Sequence, residues 1–295
     1  MTEAKLLHGD CNIMLSHIHY STVDFVVIDP PYGISQLNHE WNSTKIEEST
    51  KKSELKTCTV KSIPVGMKFN PNDAKELGKF LNLTSTELFR VLKPGAFCIV
   101  FSQARSCHHV AIAFENSGFE IRDQLIWNYG AGQGKAQGVQ NFIRKNKTLS
   151  EEQKQNYILK FEGFKTPQLT PTFETMWLCQ KPKNGTFFDN YLKHGVGLVD
   201  FRNGSKKVSF DHKKPSQEER NESGNHPTLK PVSLIKELVD IFSPEKGIVL
   251  DCFMGSGTTG VACMKTNRNF IGIEKDKKHF DSASSRISKY NTSKD

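Results

Sequence analysis

The sequence predicts an α/β protein built on a doubly wound, mostly parallel sheet, and three observations carry that expectation. Gly247-Ile248-Val249-Leu250-Asp251 reads as a short buried strand running into Cys252-Phe253-Met254-Gly255-Ser256-Gly257-Thr258-Thr259-Gly260 and an apolar helix start. Phe270-Ile271-Gly272-Ile273 follows as a second short strand ending in Glu274. Far upstream, the apolar run Val23-Asp24-Phe25-Val26-Val27-Ile28 ends in Asp29-Pro30-Pro31-Tyr32. The glycine unit has only one strand and one helix after it, so the rest of its sheet must come from the upstream half. Read circularly, with the glycine unit first, the chain supplies one complete doubly wound sheet.

The remaining elements follow in order. Lys5-Leu6-Leu7-His8 opens the chain as a strand with Asp10 at its end. Residues 74–91 show helical periodicity through Leu77, Phe80, Leu81, Leu88 and Phe89, and Lys93-Pro94-Gly95 reads as a turn before a strand over 96–101. Gly118-Phe119-Glu120-Ile121 leads into Leu125-Ile126-Trp127, and residues 172–179 form the last apolar strand before Lys181-Pro182. Between them, residues 129–170 start glycine-rich and turn basic at Arg144, Lys145 and Lys147. No strand-loop-helix frame supports a nucleotide cradle there, so the segment reads as a flexible loop on a phosphate backbone or solvent. A helix through Leu234, Leu238 and Ile241 is bracketed at its entry by Pro227 and Pro231.

Two consecutive prolines after Asp29 fix φ and remove two backbone donors, leaving a stiff loop with outward acceptors. A carboxylate, a free carbonyl and the Tyr32 ring suit a planar base with an exocyclic amine. By itself the tetrapeptide reads equally as an ordinary proline turn; the glycine unit decides between the two. That unit should bind an adenosine-containing cofactor, with Glu274 placed for ribose hydroxyls. Gly255, Gly257 and Gly260 also fit the dinucleotide fingerprint, which keeps a nicotinamide dehydrogenase in view. A P-loop is disfavoured, since Ser256-Gly257-Thr258-Thr259 lacks the phosphate lysine.

Together, Asp29-Pro30-Pro31-Tyr32, the Asp251 to Thr259 loop and His226-Pro227-Thr228-Leu229-Lys230-Pro231 resemble the S-adenosylmethionine-dependent DNA amino-methyltransferases. The motif order resembles their circularly permuted beta group, and the resemblance covers nearly the whole chain except its insertions. One departure is Cys252, where the family often has proline. The resemblance implies a seven-stranded Rossmann-like methyltransferase sheet and a catalytic loop of Asp29, Pro30, Pro31 and Tyr32. It implies a cofactor site in which Asp10 contacts the adenine amine, Glu274 the ribose, and Asp251 the methionine amino group. Phe253, Gly255, Ser256, Gly257 and Thr258 line the loop, Asp29 borders it, and His226, Pro227, Thr228 and Lys230 lie beside the methionine, Lys230 toward its carboxylate.

The implied activity is adenine-N6 methylation of a flipped base in double-stranded DNA. Cytosine-N4 methylation is the first alternative, tilted against by Asp29, where the family's N4 enzymes often carry serine. RNA or protein-glutamine methylation is a further alternative, for which the loop usually begins with Asn and the order is unpermuted. A DNA-binding module without catalysis is opposed by the intact Asp29, Tyr32, Gly255, Gly257 and Glu274. A homodimer, a cognate restriction endonuclease, and a cytoplasmic bacterial or phage setting complete what the family implies.

At 295 residues the chain reads as a single catalytic domain, 1–295, with two insertions. Residues 33–75 are polar and carry Lys51, Lys52, Lys56 and Lys61, which reads as a mobile flap or a solvated insertion. Residues 183–225 mix Arg202, Lys206, Lys207, Lys213, Lys214 and Arg220 with Phe187, Phe188, Tyr191, Phe201 and Phe210. That pattern is the candidate target-recognition region, or a loop-rich insertion packing its aromatics on the core. Forty basic against 32 acidic residues give a formal charge of +8, in keeping with a polyanion partner. Seven scattered cysteines without a C-x-x-C pair read as reduced and metal-free, and His17, His19, His108 and His109 lack ligand spacing. Neither a signal peptide nor a run of membrane-spanning length is expected.

Overall fold

Mostly apolar runs build the strands at the centre of the sheet, which are buried on both faces. In the computed structural model, which describes residues 2–31, 71–130, 132, 134, 136–202, 206–224 and 228–291, eight strands form one sheet. They are β1 (Ala4–His8), β2 (Val23–Ile28), β3 (Leu92–Ser102), β4 (Glu120–Asn128), β5 (Phe173–Gln180), β6 (Ser209–Asp211), β7 (Ile248–Asp251) and β8 (Asn269–Glu274). Their spatial order is β1-β8-β7-β2-β3-β5-β4-β6, and only β5 runs against its neighbours. The expected α/β mixed sheet is present with eight strands rather than seven. The extra strand, β6, has three residues with Phe210 alone buried, too short to rise out of a polar segment.

The described helices are α1 (Cys11–Leu15), α2 (Pro71–Val91), α3 (Cys107–Asn116), α4 (Val139–Lys145), α5 (Glu151–Lys160), α6 (Phe187–His194), α7 (Gln217–Glu222), α8 (Val232–Phe242), α9 (Thr258–Lys265) and α10 (Lys277–Asn291). Alternation along β2 assigns the two layers. Phe25 and Val27 pack with residues of α8, α9 and α10, whereas Val26 and Ile28 pack with residues of α1, α2 and α3. Each buried aliphatic or aromatic side chain contributes about 1.5–3 kcal/mol, so both faces of the central strands are anchored.

Three expectations change in detail. Lys93-Pro94-Gly95 is not a turn between helix and strand: β3 starts at Leu92, opposite Val23, and the next pair is Phe25 with Phe97. The extra residues bulge out of β3, Gly95 adopting φ +79, and Lys93 donates to the buried Asp24 at 2.6 Å. Asp24 also accepts from the Ile248 N–H at 2.7 Å, tying the entry of β7 to β2. The expected loop over 129–170 contains α4 and α5. Neither has the apolar stripe that signals a helix, but Ser150 and Gln153 form a capping box that starts α5. Of the 33–75 insertion, residues 71–75 belong to the first turns of α2, and 33–70 lie outside the described residues.

The segment 183–225 divides between two edges of the sheet. Asn190 of α6 donates to the Pro94 and Val196 carbonyls, which holds Phe187, Phe188 and Tyr191 at the entry edge of β3. β6 returns to the opposite edge, where Asp211 accepts from Asn128 at 2.7 Å. This second edge carries the carboxyl ends of β2, β3, β4, β6, β7 and β8. The chain leaves β7 and β2 toward opposite sides, and such a switch point opens a crevice for ligands.

Candidate active site

Asp29 follows β2 directly, at that switch point. Pro30 is buried and Pro31 half-buried, so the stiff acceptor loop is packed in place. Tyr32, His226 and Pro227 lie outside the described residues. Lys230 donates to Asp29 Oδ2 at 2.6 Å and lies 3.3 Å from Glu174 Oε2. Its side chain is 9% exposed, and the ammonium sits 4.8 Å from the Phe101 ring centroid. Burial pushes the Lys230 pKa down, but Asp29 and Glu174 more than offset it, so the pKa is raised and the cation is retained.

Local structure explains how Lys230 arrives there. Pro231 opens α8 without a side-chain cap of its own, and Glu219 of α7 supplies one by accepting the Val232 N–H at 3.1 Å. Leu229 is buried beside it and Thr228 is exposed. Glu174 belongs to no sequence motif. Its only signal was one acidic residue near the start of the apolar strand β5. Tyr129 stands next to it, its phenol raised in pKa by burial and by Glu174, with Lys214 Nζ 4.2 Å from its ring centroid.

On the β7 side, Gly255 (φ +53) and Gly257 (φ +77) turn the loop into α9. Gly255 N–H donates to Glu274 Oε2 and Asp276 N–H to Oε1, both at 2.8 Å, which fixes the Glu274 carboxylate beside the loop. Asp251 is buried, accepts from the Phe253 N–H at 3.0 Å and from the Thr259 hydroxyl at 2.6 Å, and is raised to about 7 by burial. Those two hydrogen bonds oppose the rise, while Asp29 and Glu274 add to it. Asp10 caps α1 through the Asn12 N–H at 3.1 Å and meets Lys275 at 3.2 Å. The Phe253 ring packs 5.9 Å from that of Phe80. Gly260 is inside α9 rather than in the loop, and a Cβ there would meet Ile287 Cδ1 at 2.4 Å, so its role is close packing against α10.

A second residue absent from the sequence reading is Arg286 of α10. It is 2% exposed and donates to the Ser256 carbonyl at 3.2 Å and the Thr258 hydroxyl at 3.1 Å, bracing the glycine loop from behind. Its Nε and Nη2 find no partner among the described residues. Burial lowers the guanidinium pKa, opposed by Glu222, Tyr290 and Glu219. Arg286→Ala is expected to weaken cofactor binding about tenfold and to cost about 1–3 kcal/mol of stability. Arg286→Met, which refills the volume, should recover stability but not affinity, as read by calorimetry and thermal unfolding.

The donor set decides what the crevice can take. Asp10, Asp251 and Glu274 converge on it, and the Lys230 cation is already engaged by Asp29 and Glu174. A pyrophosphate would meet carboxylates there, which disfavours a dinucleotide. An ammonium, ribose hydroxyls and an adenine ring fit Asp251, Glu274 and Phe253.

An acidic crevice one strand away from a rigid Asp-Pro-Pro loop, on a doubly wound sheet, is the arrangement expected of an amino-group methyltransferase. Residues 23–285 match the family model described as DNA methylase, and the chain belongs to that family of DNA methyltransferases. Type II methyltransferase M.HindIII of Haemophilus influenzae is 30% identical over 305 residues, covering 96% of this chain and 94% of that protein. Among solved structures, the M1.HpyAVI-SAM complex superposes with a TM-score of 0.60 at 20% identity, over 96% of this chain and 98% of the other. The PvuII DNA methyltransferase, described as cytosine-N4-specific, superposes with a TM-score of 0.59 at 12% identity, over 97% and 87%.

Proposed function

We propose that this chain transfers a methyl group from S-adenosylmethionine to the N6 amine of adenine at a specific site in double-stranded DNA. The observation that carries this reading is the Asp29 carboxylate, fixed by Lys230 at the carboxyl end of β2, next to the cofactor crevice at the end of β7. A base amine is a poor nucleophile because its lone pair is delocalised into the ring. Hydrogen bonds from its two protons to Asp29 and to the Pro30 carbonyl favour a tetrahedral nitrogen whose lone pair faces the methyl donor. The cofactor supplies an electrophilic methyl on a sulfonium; the chain's own groups hold the amine in line with it. A base inside a duplex cannot reach this pocket, so it is flipped, with Tyr32 as its stacking partner.

Glu274 is assigned to the ribose, Asp251 to the methionine ammonium, Asp10 to the adenine amine, and Phe253 with Gly255, Ser256, Gly257 and Thr258 to the loop around them. His226, Pro227 and Thr228 are assigned to the methionine end from the family resemblance. Lys230 is assigned first to Asp29, its contact in the fold. Cytosine-N4 methylation is the second reading, favoured by the fold shared with the PvuII enzyme. Asp29 tilts the choice to adenine.

Within the single domain, the part of 183–225 that we assign to DNA is residues 206–224, because β6 and Lys214 return to the catalytic edge. The sheet order, with the glycine unit last in sequence, is read as the permuted arrangement. A second copy of the chain and a cognate restriction endonuclease are partners taken from the family resemblance. The experiment that tests the reading offers labelled cofactor to duplex DNA, RNA and a glutamine-containing peptide. Label should enter DNA alone; entry only into RNA or peptide contradicts the reading.

Asp251 gives this reading a pH signature. Its folded pKa, about 7, is above its ordinary value of 3.8, so its contribution to the stability of the free protein is complete below about pH 4 and is lost as pH rises through about 7. Binding a methionine ammonium favours the ionised form. Cofactor affinity should therefore rise about tenfold per pH unit up to about 7 and then level off. Calorimetry in two buffers of different ionisation enthalpy should detect the released proton, and Asp251→Asn should abolish the slope.

A further inference from the structure

Glu174 is the second residue of β5, the strand that runs against its neighbours, so its amino end meets the carboxyl ends of β3 and β4. That reversal brings an acidic side chain to the catalytic edge from a strand no motif singled out. Lys230 pairs with both Asp29 and Glu174, and side-chain exposure across Glu174, Lys230 and Asp29 is 35%, 9% and 20%. The cation is the most buried of the three, with a carboxylate oxygen at 2.6 Å, another at 3.3 Å and the Phe101 ring beside it.

Lys230 and Asp29 alone make a neutral pair, which is a weak acceptor for a partner that becomes positively charged. With Glu174 the cluster carries a net charge of −1. In the transfer the N–C bond forms as the S–C bond breaks, the electron pair of that bond staying on sulfur. Positive charge moves to the nitrogen, whose extra proton then leaves by way of Asp29 to solvent. A fixed negative cluster in a partly buried site stabilises that charge throughout. Geometry adds to this. A lysine ammonium on a flexible stem has three equivalent donors and no preferred direction of its own. With Glu174 drawing the ammonium from 3.3 Å, the direction of the donor to Asp29 Oδ2 is restrained.

We infer that Glu174 is a positioning residue of the methyl transfer: acting through Lys230, it orients Asp29 and supplies the compensating charge that keeps Asp29 an effective acceptor for the target amine. The inference rests on the reading of Asp29 as that acceptor.

Glu174→Gln keeps the side chain's shape and an acceptor for Lys230 while removing its charge. With enzyme in excess over unmethylated genomic DNA, single-turnover methylation should slow about 10–100-fold. Cofactor affinity by calorimetry should change less than about threefold. Glu174→Asp, which restores the charge on a shorter stem, should recover part of the rate. Wild-type rates in both variants overturn the inference, as does a Glu174→Gln protein that loses cofactor binding along with turnover, which would make the residue structural. Asp29→Asn run alongside separates the claims. If it is inactive while Glu174→Gln is fully active, only the role of Glu174 falls; if it is active, the reading of Asp29 falls with it.

Discussion

Asp29→Ala is expected to lower methyl transfer by at least about 10²–10³-fold, the loss typical of removing a preorganised group aimed at developing charge. Cofactor binding should stay nearly intact, because Asp251, Glu274 and the glycine loop are held by their own hydrogen bonds to Thr259, Phe253, Gly255 and Asp276. The variant also strips one partner from a buried ammonium. Breaking a buried ion pair costs about 3–5 kcal/mol when the remaining charge is left alone. Here Glu174 stays at 3.3 Å and Asp29 is 20% exposed, so a smaller loss of about 1–3 kcal/mol is expected. The diagnostic pattern is a melting temperature lowered by a few degrees, a near-normal calorimetric Kd for the cofactor, and no methylated DNA. Normal turnover would place the acceptor elsewhere.

Gly257→Val should produce the opposite separation, a protein that fails at the cofactor. Gly257 has φ +77, a conformation that a β-branched residue adopts only with strain, about 1–3 kcal/mol. A Cβ there would lie 3.0 Å from Ala283 Cβ and 3.1 Å from Ile287 Cδ1, so α10 must shift to admit it. That helix carries Arg286, which braces Ser256 and Thr258. Strain and displacement therefore reach the same loop together, and cofactor affinity should fall at least about 100-fold. Gly130→Ala provides the contrast: φ is +71 there, but a Cβ would meet nothing within 4 Å, so backbone strain acts alone and cofactor binding should be unchanged.

The parts of the fold that were legible in the sequence are those where a period or a run of apolar residues reflects burial. β2 and β8 were readable because their alternate residues pack two different helix layers, and α2 because Leu77, Leu81 and Leu88 face one of them. α5 was not, since none of its residues is buried and its only mark is a capping box. The bulge at Lys93-Pro94-Gly95 looked like a turn because proline and glycine mark both. What distinguishes them is the pairing of Lys93 with Asp24, a contact across 69 positions that no local pattern encodes.

The site divides in the same way. Asp29, Asp251, Gly255, Gly257 and Glu274 sit at strand ends beside breaks in the apolar pattern, where the sequence itself marks a change of role. Lys230 stands out in the sequence, where the resemblance turns it toward the cofactor, whereas in the fold it meets Asp29. Glu174 and Arg286 reach the site from a reversed strand and a terminal helix. Their function depends on which strand lies beside which, and that is a property of the assembled sheet.

The identity of the product nucleoside decides which base amine enters the pocket. Labelled methyl groups from S-adenosylmethionine are transferred to mixed-sequence duplex DNA by the full chain, and the DNA is digested to nucleosides and separated by mass. Label is expected in N6-methyladenine. Label in N4-methylcytosine instead, or a folded protein that binds the cofactor yet leaves adenine unmodified across a full set of duplex sequences, would contradict the adenine-N6 assignment.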